Sequence, residues 1–567
     1  MIRVRCLAWL IAGALFGSPA IAEPALLTAL REGDEVRAAH LVNARAPVNE
    51  RDDTGATPLM WAAQRGNVEL TKQLLEAGAN PNLRDRDGLS PLQIAIEVRA
   101  STVALTLIEH GANARVASDN GETFLMAAAR TGDLAVMQAL LQHHADVNAR
   151  EKQFGQTALM WAAGHPQATQ VLLSHGANLK VRTKSWTITE AEYVPRTRAR
   201  DANPWLHERE YKTEKGGQTA LFFAIQADDI ESVKMLLDAG AKVDDRSVDG
   251  NTALLFALTK WNQGSGPRCD MHDYPVAFDP NVAIANLLLD RGAVATVKNE
   301  AGLTPLHGAV LALVPKVRLN EFCRIPDIHI EDVRDTTSAS VEANAGVALV
   351  ARLLEAKADP NLKTTYPVGG PIGQVHLSYI RSGSSAMHAA ASSDNAALMG
   401  MLMDHGGNPD QLRPDGHSAV SLAAQMNSLA LVELFAARGV KLDRTYNPAD
   451  PIVDTYTPDG TTDSKARGEQ TLLHIAAAAG ASAVIPFLAS KGLSMEAKNS
   501  LGETPLILAQ SQERYRFQRD RRDADLHRRE GVPDIRDPDT IKLATDTSQT
   551  LKSLMEGDGS RTANRVK

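Results

Sequence analysis

A short pattern recurs along this chain at a fixed period. A Ser or Thr stands two residues before Leu, Met or Val and opens a run of small residues. Thr57-Pro58-Leu59, Ser90-Pro91-Leu92 and Thr123-Phe124-Leu125 are three copies, each 33 residues after the last. Thr157, Thr219, Thr252, Thr304, Ser385, Ser418, Thr471 and Thr504 open eight more. A period of this length excludes an ordinary single core. Each unit is too small to bury its apolar face alone and must stack on its neighbours. The fold expected is therefore an all-α repeat solenoid.

One unit reads from Gly55 to Arg84. Thr57 is an N-cap, because its hydroxyl can accept an orphan backbone N–H. Pro58 suits the first helical position, where its missing N–H costs nothing. Leu59, Ala62 and Ala63 make a short helix that allows close packing. Gly66-Asn67 marks a turn. Val68 to Ala77 is a second helix with Leu70, Leu74 and Leu75 on one face. Gly78 is a left-handed C-cap, and Asn80-Pro81-Asn82 leads into an extended finger.

These residues resemble the ankyrin repeat, whose signature is T-P-L-H-x-A. Thr304-Pro305-Leu306-His307 matches it directly, and Ser385 to His388 and Thr471 to His474 match more loosely. Met60, Met126 and Met160 replace the family's histidine, so its hydrogen bond to the Ser or Thr is expected to be absent there. His144 and Lys357 stand where other units have a C-cap glycine; each is expected to cost about 1 kcal/mol. The resemblance covers about residues 24–556, insertions apart. It implies helix–turn–helix units with β-hairpin fingers, about eleven full repeats and an N-terminal half repeat at 23–53.

The repeats are expected at 54–181 and 216–510, followed by a charged helix and a closing helix at 511–556 and a disordered tail at 557–567. Residues 1–22 read as a secretory signal peptide: Arg3 and Arg5, the apolar stretch Cys6 to Phe16, then the cleavage pattern Ala20-Ile21-Ala22. The apolar stretch is short for a membrane span. An uncleaved N-terminal helix is the competing reading. A bacterial periplasmic location is expected, with extracellular release as second choice. The net charge of −8 is mild for 567 residues and favours neither nucleic acid nor membrane.

Six insertions break the period. Residues 182–215, 364–381 and 444–467 fall where fingers project. Residues 262–280, 314–345 and about 515–537 fall between the two helices of a unit. The eight tyrosines all lie outside the regular helix pairs. Candidate partner-binding residues are Trp186, Tyr193, Arg196, Arg198, Arg200, Trp205, Tyr211, Tyr366, Tyr379, Tyr446 and Tyr456, because Tyr, Trp and Arg dominate binding hot spots. The alternative is that the aromatics only pin long loops down. Trp61 and Trp161 recur at one repeat position, which argues for packing between helix pairs over ligand stacking.

Beyond the leader, the cysteines are Cys269 and Cys323. They lie in helix–helix insertions of successive units, and an oxidising compartment would pair them as a disulfide. A zinc site with His272 and His329, or two free thiols, are the alternatives. No phosphate loop, nucleophile elbow or H-E-x-x-H motif is present. The chain is expected to be a non-enzyme without cofactor, a monomer that binds a protein partner through fingers, concave face and insertions. The roles expected are periplasmic scaffolding or protection. A secreted effector that engages host proteins is the first alternative, and a metal-dependent enzyme the second.

Overall fold

The computed structural model describes residues 25–195, 205–259, 281–313, 336–365, 368–372, 375–380, 383–447, 468–511, 513–514 and 545–556. Side chains of 188–213, 336–344, 368–372 and 375–380 lie outside the description. The chain divides into two compact units, one of residues 1–184 and 219–241, the other of residues 185–218 and 242–567.

The first unit is built from helix pairs. Ala25–Glu32 with Glu35–Asn43, Pro58–Gln64 with Val68–Glu76, and Pro91–Glu97 with Ser101–Glu109 open it. Phe124–Thr131 with Leu134–Gln142, Ala158–Trp161 with Pro166–Ser174, and Ala220–Gln226 with Ile230–Asp238 complete it. Local chemistry explains the boundaries of the pair Pro58–Gln64 and Val68–Glu76. Pro58 opens its helix, and Thr57 caps it by accepting Met60 N–H. Asn67 Oδ1 accepts Leu70 N–H at 2.9 Å and starts the second helix. Gly78 ends the pair with φ +90°, a conformation that costs a Cβ-bearing residue energy. Leu59, Ala62, Ala63 and Leu74 are fully buried. Pro58–Gln64 packs on Pro91–Glu97, and Val68–Glu76 on Ser101–Glu109, so the core runs from each pair to the next.

The second unit continues the design. Its pairs are Ala253–Thr259 with Val282–Asp290, Pro305–Leu311 with Thr336–Glu355, and Ala386–Ala391 with Ala396–Asp404. Ala419–Gln425 with Leu429–Ala437 and Leu472–Ala479 with Ile485–Ser490 follow. Residues 505–511 and 545–556 are also helical, and Leu551 is buried. The helix from Thr336 begins inside the stretch 314–345 assigned to an insertion. Two hairpins interrupt the helices. β1 (Ser185–Pro195) pairs antiparallel with β2 (Trp205–Gly216), with a register shift between Glu192 and Tyr193. β3 (Val368–Ile372) pairs antiparallel with β4 (Val375–Ile380).

The eight cap glycines from Gly78 to Gly492 have φ between +75° and +95°. His144 and Lys357 adopt the same left-handed conformation, at +61° and +68°. The two lapses in sequence are therefore not lapses in backbone. At Met60 the structure corrects the sequence reading. Thr57 N–H donates to Met60 Sδ at 3.4 Å, so a thioether takes the acceptor place left by histidine.

Successive fingers are tied by asparagine. Asn49 Nδ2 donates to Gly78 O at 3.1 Å while its Oδ1 accepts Asn80 N–H at 2.8 Å. Asn82 repeats this with Gly111 and Asn113, and Asn148 with Gly176 and Asn178. Asn361 does so in the second unit with Gly406 and Asn408. Basic side chains add a second tie: Arg51 reaches Arg84 O at 2.7 Å, and Arg150 reaches Arg182 O at 2.6 Å.

Candidate partner-binding surface

Fingers and first helices carry the side chains able to meet a partner. In the first unit one position of the first helix, four residues past the cap, holds Trp61, Ile94, Ala127, Trp161 and Phe223; Ala127 is buried and the other four are half-buried. Each indole is anchored to its own finger: Trp61 Nε1 donates to Asp52 Oδ2 at 2.9 Å, and Trp161 Nε1 to Gln156 Oε1 at 2.8 Å. Arg130 lies over the Trp161 ring, 5.7 Å from its centre, and pairs with Glu97 at 2.7 Å. Its guanidinium thus bridges a carboxylate and a π face. Glu122 stands near this pair, and burial followed by the Glu97 charge pushes its carboxyl up. Trp61 and Trp161 were legible as a recurrence. Ile94 and Phe223 were missed, although the same offset from Ser90 and Thr219 would have found them.

The hairpin β1/β2 occupies most of the longest finger-side insertion. Trp186 sits near its base, 42% exposed. Tyr193 lies in β1, and Trp205 and Tyr211 in β2; the register sets Trp186 across from Lys215, Tyr211 across from Glu190, and Trp205 across from Pro195. Tyr379 lies in β4. Arg196, Arg198, Arg200, Tyr366 and Tyr456 lie outside the described residues, as do Cys269, Cys323, His272 and His329. The structure brings Trp186, Tyr193, Trp205 and Tyr211 into one hairpin.

Tyr446 departs from the expectation of a surface contact. It is only 2% exposed. Its N–H and C=O exchange 2.8 Å hydrogen bonds with Gln470, closing the base of the 444–467 insertion. Burial pushes its phenol up. This tyrosine pins a loop and has no face left for a partner.

The histidines of the signature are structural. Thr304 Oγ1 lies 2.8 Å from His307 Nδ1, which also accepts Thr304 N–H at 3.3 Å. On its far side His307 Nε2 faces Ser384 O at 3.4 Å. Ser385 with His388 and Thr471 with His474 repeat the ring, at 2.9 and 2.8 Å. Burial lowers His307 and His388 to about 4, and lowers His474 as well. In His307 and His474 the imidazole is held at both nitrogens, by the cap at Nδ1 and by a backbone carbonyl at Nε2. Among the described residues no cluster of three or more His, Cys, Asp or Glu could hold a metal ion. No described helix is long and apolar enough to cross a membrane.

Comparison with known proteins agrees with this geometry. A model of ankyrin repeats in three copies matches residues 26–118 and 107–183, and a single ankyrin repeat model matches residues 216–248. A protein of Treponema pallidum (strain Nichols) named for its ankyrin repeats is 41% identical over 159 residues, 28% of this chain and 48% of that protein. An ankyrin repeat protein of fowlpox virus (strain NVSL) is 29% identical over 122 residues, 21% of this chain and 86% of that protein. A mitochondrial disaggregase of Bos taurus is 39% identical over 125 residues, 20% of this chain. The match spans 18% of the disaggregase and 48% of the Treponema protein. The chain carries ankyrin repeats, matched at residues 26–183 and 216–248. Ankyrin repeats imply protein–protein binding, and the helix pairs, fingers and caps described above are the parts of that repeat.

Proposed function

We propose that this chain is an exported binding protein that docks a protein partner non-covalently on its fingers and insertions. The observation that supports it most is the hairpin β1/β2, which gathers Trp186, Tyr193, Trp205 and Tyr211 into one element. An insertion that served packing alone would have no need of an exposed indole at its base, and Trp186 is 42% exposed. Aromatic residues on a rigid hairpin offer large contact area at small entropic cost. Export rests on the leader-like residues 1–22, and the role that follows is scaffolding or protection of a periplasmic protein by a monomer. In an oxidising compartment Cys269 and Cys323 would pair.

The test is capture from periplasmic extract, read by mass spectrometry. Replacing Trp186, Tyr193, Trp205 and Tyr211 by Ala abolishes capture while helical content stays unchanged. Capture retained by this variant, with the hairpin merely more open to protease, returns the aromatics to a packing role. N-terminal sequencing of the exported chain tests the leader: Glu23 is expected first, and an intact Met1 in the soluble envelope fraction overturns it. Thiol labelling under denaturing conditions reads the cysteines, and two labels appearing only after reduction are expected.

A further inference from the structure

The first unit holds a cavity of about 270 Å³ between two successive fingers and the starts of their helices. Leu92, Val116 and Phe124 line it with apolar surface, and Arg84, Ser90 and Asn113 bring polar groups to it. Two departures from the repeat meet there. The first helical position holds Pro58 and Pro91 in the two preceding repeats and Phe124 in this one, which adds an aromatic wall. The column Arg51, Arg84, Arg150 and Arg182 is interrupted by Ala117. Arg84 reaches that interruption, donating from Nη2 to Ala117 O at 3.2 Å.

The polar groups at this cavity are donors with nothing to donate to. Among the described residues the Arg84 guanidinium meets the Ala117 carbonyl and no carboxylate. Ser90 is only 7% exposed, and its Oγ accepts Gln93 N–H at 3.2 Å. Its own proton has no acceptor among the described residues, because Gln93 stands where His307, His388 and His474 offer Nδ1 to their caps. Asn113 Oδ1 accepts Arg115 N–H at 3.0 Å, which leaves its Nδ2 protons uncommitted. Asn82, also at the cavity, spends both ends of its amide on Gly111 and Asn113. No lining residue carries a carboxylate. The cavity therefore combines one fixed positive charge, two neutral donors and an apolar wall.

We propose that this cavity is a binding site for a carboxylate carried on a small apolar body, either a free monocarboxylic acid or the C-terminus of a chain that ends in an apolar residue. A guanidinium matches a carboxylate in charge and in its planar fork, and the Ser90 hydroxyl adds a donor already held in place by the helix cap. The apolar body lies against Phe124 and Leu92. The volume falls just below the roughly 300–1,000 Å³ of ordinary ligand pockets, so one ring or one branched chain fits and a nucleotide does not. The site lies in the first unit, whereas the hairpin β1/β2 belongs to the second, so it stands or falls separately from the partner-binding reading.

The test uses the full-length chain, titration calorimetry for affinity and amide hydrogen exchange for place. The probes are 3-phenylpropionate, its neutral amide, inorganic phosphate, and the peptide Gly-Ser-Gly-Phe with a free or an amidated C-terminus. At least one of the two carboxylates, the acid or the free peptide, is expected to bind with a Kd tighter than about 1 mM. Protection is expected within 81–92 and 112–124. The matching amide and inorganic phosphate, which lack the charge and the apolar body respectively, are expected to bind at least about tenfold more weakly, the size of one charge-assisted contact. Binding of the acid alone assigns a small metabolite-sized ligand, and tighter binding of the free peptide assigns a chain terminus. Arg84→Gln removes the charge, and Phe124→Pro restores the proline of the preceding repeats and removes the wall. Each is expected to weaken the bound carboxylate at least about tenfold with helical content unchanged, while Arg84→Lys keeps most of the affinity. No saturable binding of either carboxylate, equal affinity for a carboxylate and its amide, protection elsewhere, or parental affinity in both Arg84→Gln and Phe124→Pro overturns the site. The variant with Trp186, Tyr193, Trp205 and Tyr211 replaced by Ala is expected to bind the carboxylate as the parent does, which separates this site from the partner surface.

Discussion

His307 Nδ1 sits 2.8 Å from Thr304 Oγ1 and also accepts the Thr304 backbone N–H, so one imidazole nitrogen closes the start of its own helix. In the second unit the position three residues past the cap holds His307, His388 and His474 in three repeats, and Leu255, Ser421 and Ile507 in the others. In the first unit it holds Met60, Gln93, Met126, Met160 and Phe222, none of which takes up a proton near neutral pH. The two units therefore differ in what acid does to them.

Burial holds His307 and His388 at about 4, against an ordinary 6.5. Below pH 6.5 the unfolded chain binds protons that the folded chain refuses, so the second unit loses stability as pH falls from about 6.5 to about 4 and then levels off. The loss is about 3 kcal/mol for each of these two histidines, at roughly 1.4 kcal/mol per pH unit. Hydrogen exchange at pH 7.5 and 4.5, referenced for intrinsic rates, should show opening of 305–311 and 386–391 at the lower pH while 58–64 stays closed. Equal protection of all three helices at pH 4.5 would contradict the assignment.

His144 and Lys357 take left-handed φ angles of +61° and +68°, which a side chain disfavours. The equivalent glycines, such as Gly78 and Gly176, have nothing within 4 Å of an added Cβ, so the penalty comes from the backbone angle alone. His144→Gly and Lys357→Gly should each stabilise by about 1 kcal/mol. Urea midpoints followed by circular dichroism provide the check, and a lower midpoint in both variants would be the contrary result.

Leu74 is fully buried on the helix Val68–Glu76. Leu74→Ala should destabilise by about 2–5 kcal/mol through lost burial and the cavity left behind. Because repeats couple mainly to their neighbours, loosening should centre on residues 58–109. Limited proteolysis locates it. A change of less than about 0.5 kcal/mol, the size of a surface effect, would mean the wrong face has been assigned.

Asn82 donates to Gly111 O at 3.0 Å and accepts Asn113 N–H at 2.8 Å. Asn82→Asp keeps the acceptor and loses the donor, whereas Asn82→Ala loses both. The expected order of stability is Asn, then Asp, then Ala, with about 1 kcal/mol per hydrogen bond. Thermal unfolding of the three chains tests the order, and an alanine variant as stable as the parent would rule the tie out as a contributor.

Much of this was readable from the residues. Thr57, Pro58 and Gly78 act locally, through a hydroxyl, a ring and a missing Cβ, so a local pattern sufficed to place helix starts and stops. The finger-side breaks were visible as lost period. What escaped depended on distant partners or on versatile atoms. Tyr446 is buried because Gln470, beyond an insertion, pairs with its backbone. Met60 accepts an N–H because its flexible thioether folds back, which composition does not announce. The early start at Thr336 runs through TTSASVEANAG, a stretch of middling helix formers that a broken period disguised as loop.

The asparagine ties have a consequence for how this chain can change in length. Asn49 and Asn82 each reach a glycine carbonyl 29 positions ahead, at Gly78 and Gly111. Excising one whole period would present every such asparagine with an equivalent carbonyl, whereas removing a single residue inside a helix would misalign it. Asn361 shows where extra chain is tolerated: its reach to Gly406 is 45 positions, and the hairpin of β3 and β4 lies within that span. Growth and loss are thus quantised, in complete modules or in finger excursions that return to their starting point, and a recombination event that respects those two currencies leaves the stack in register.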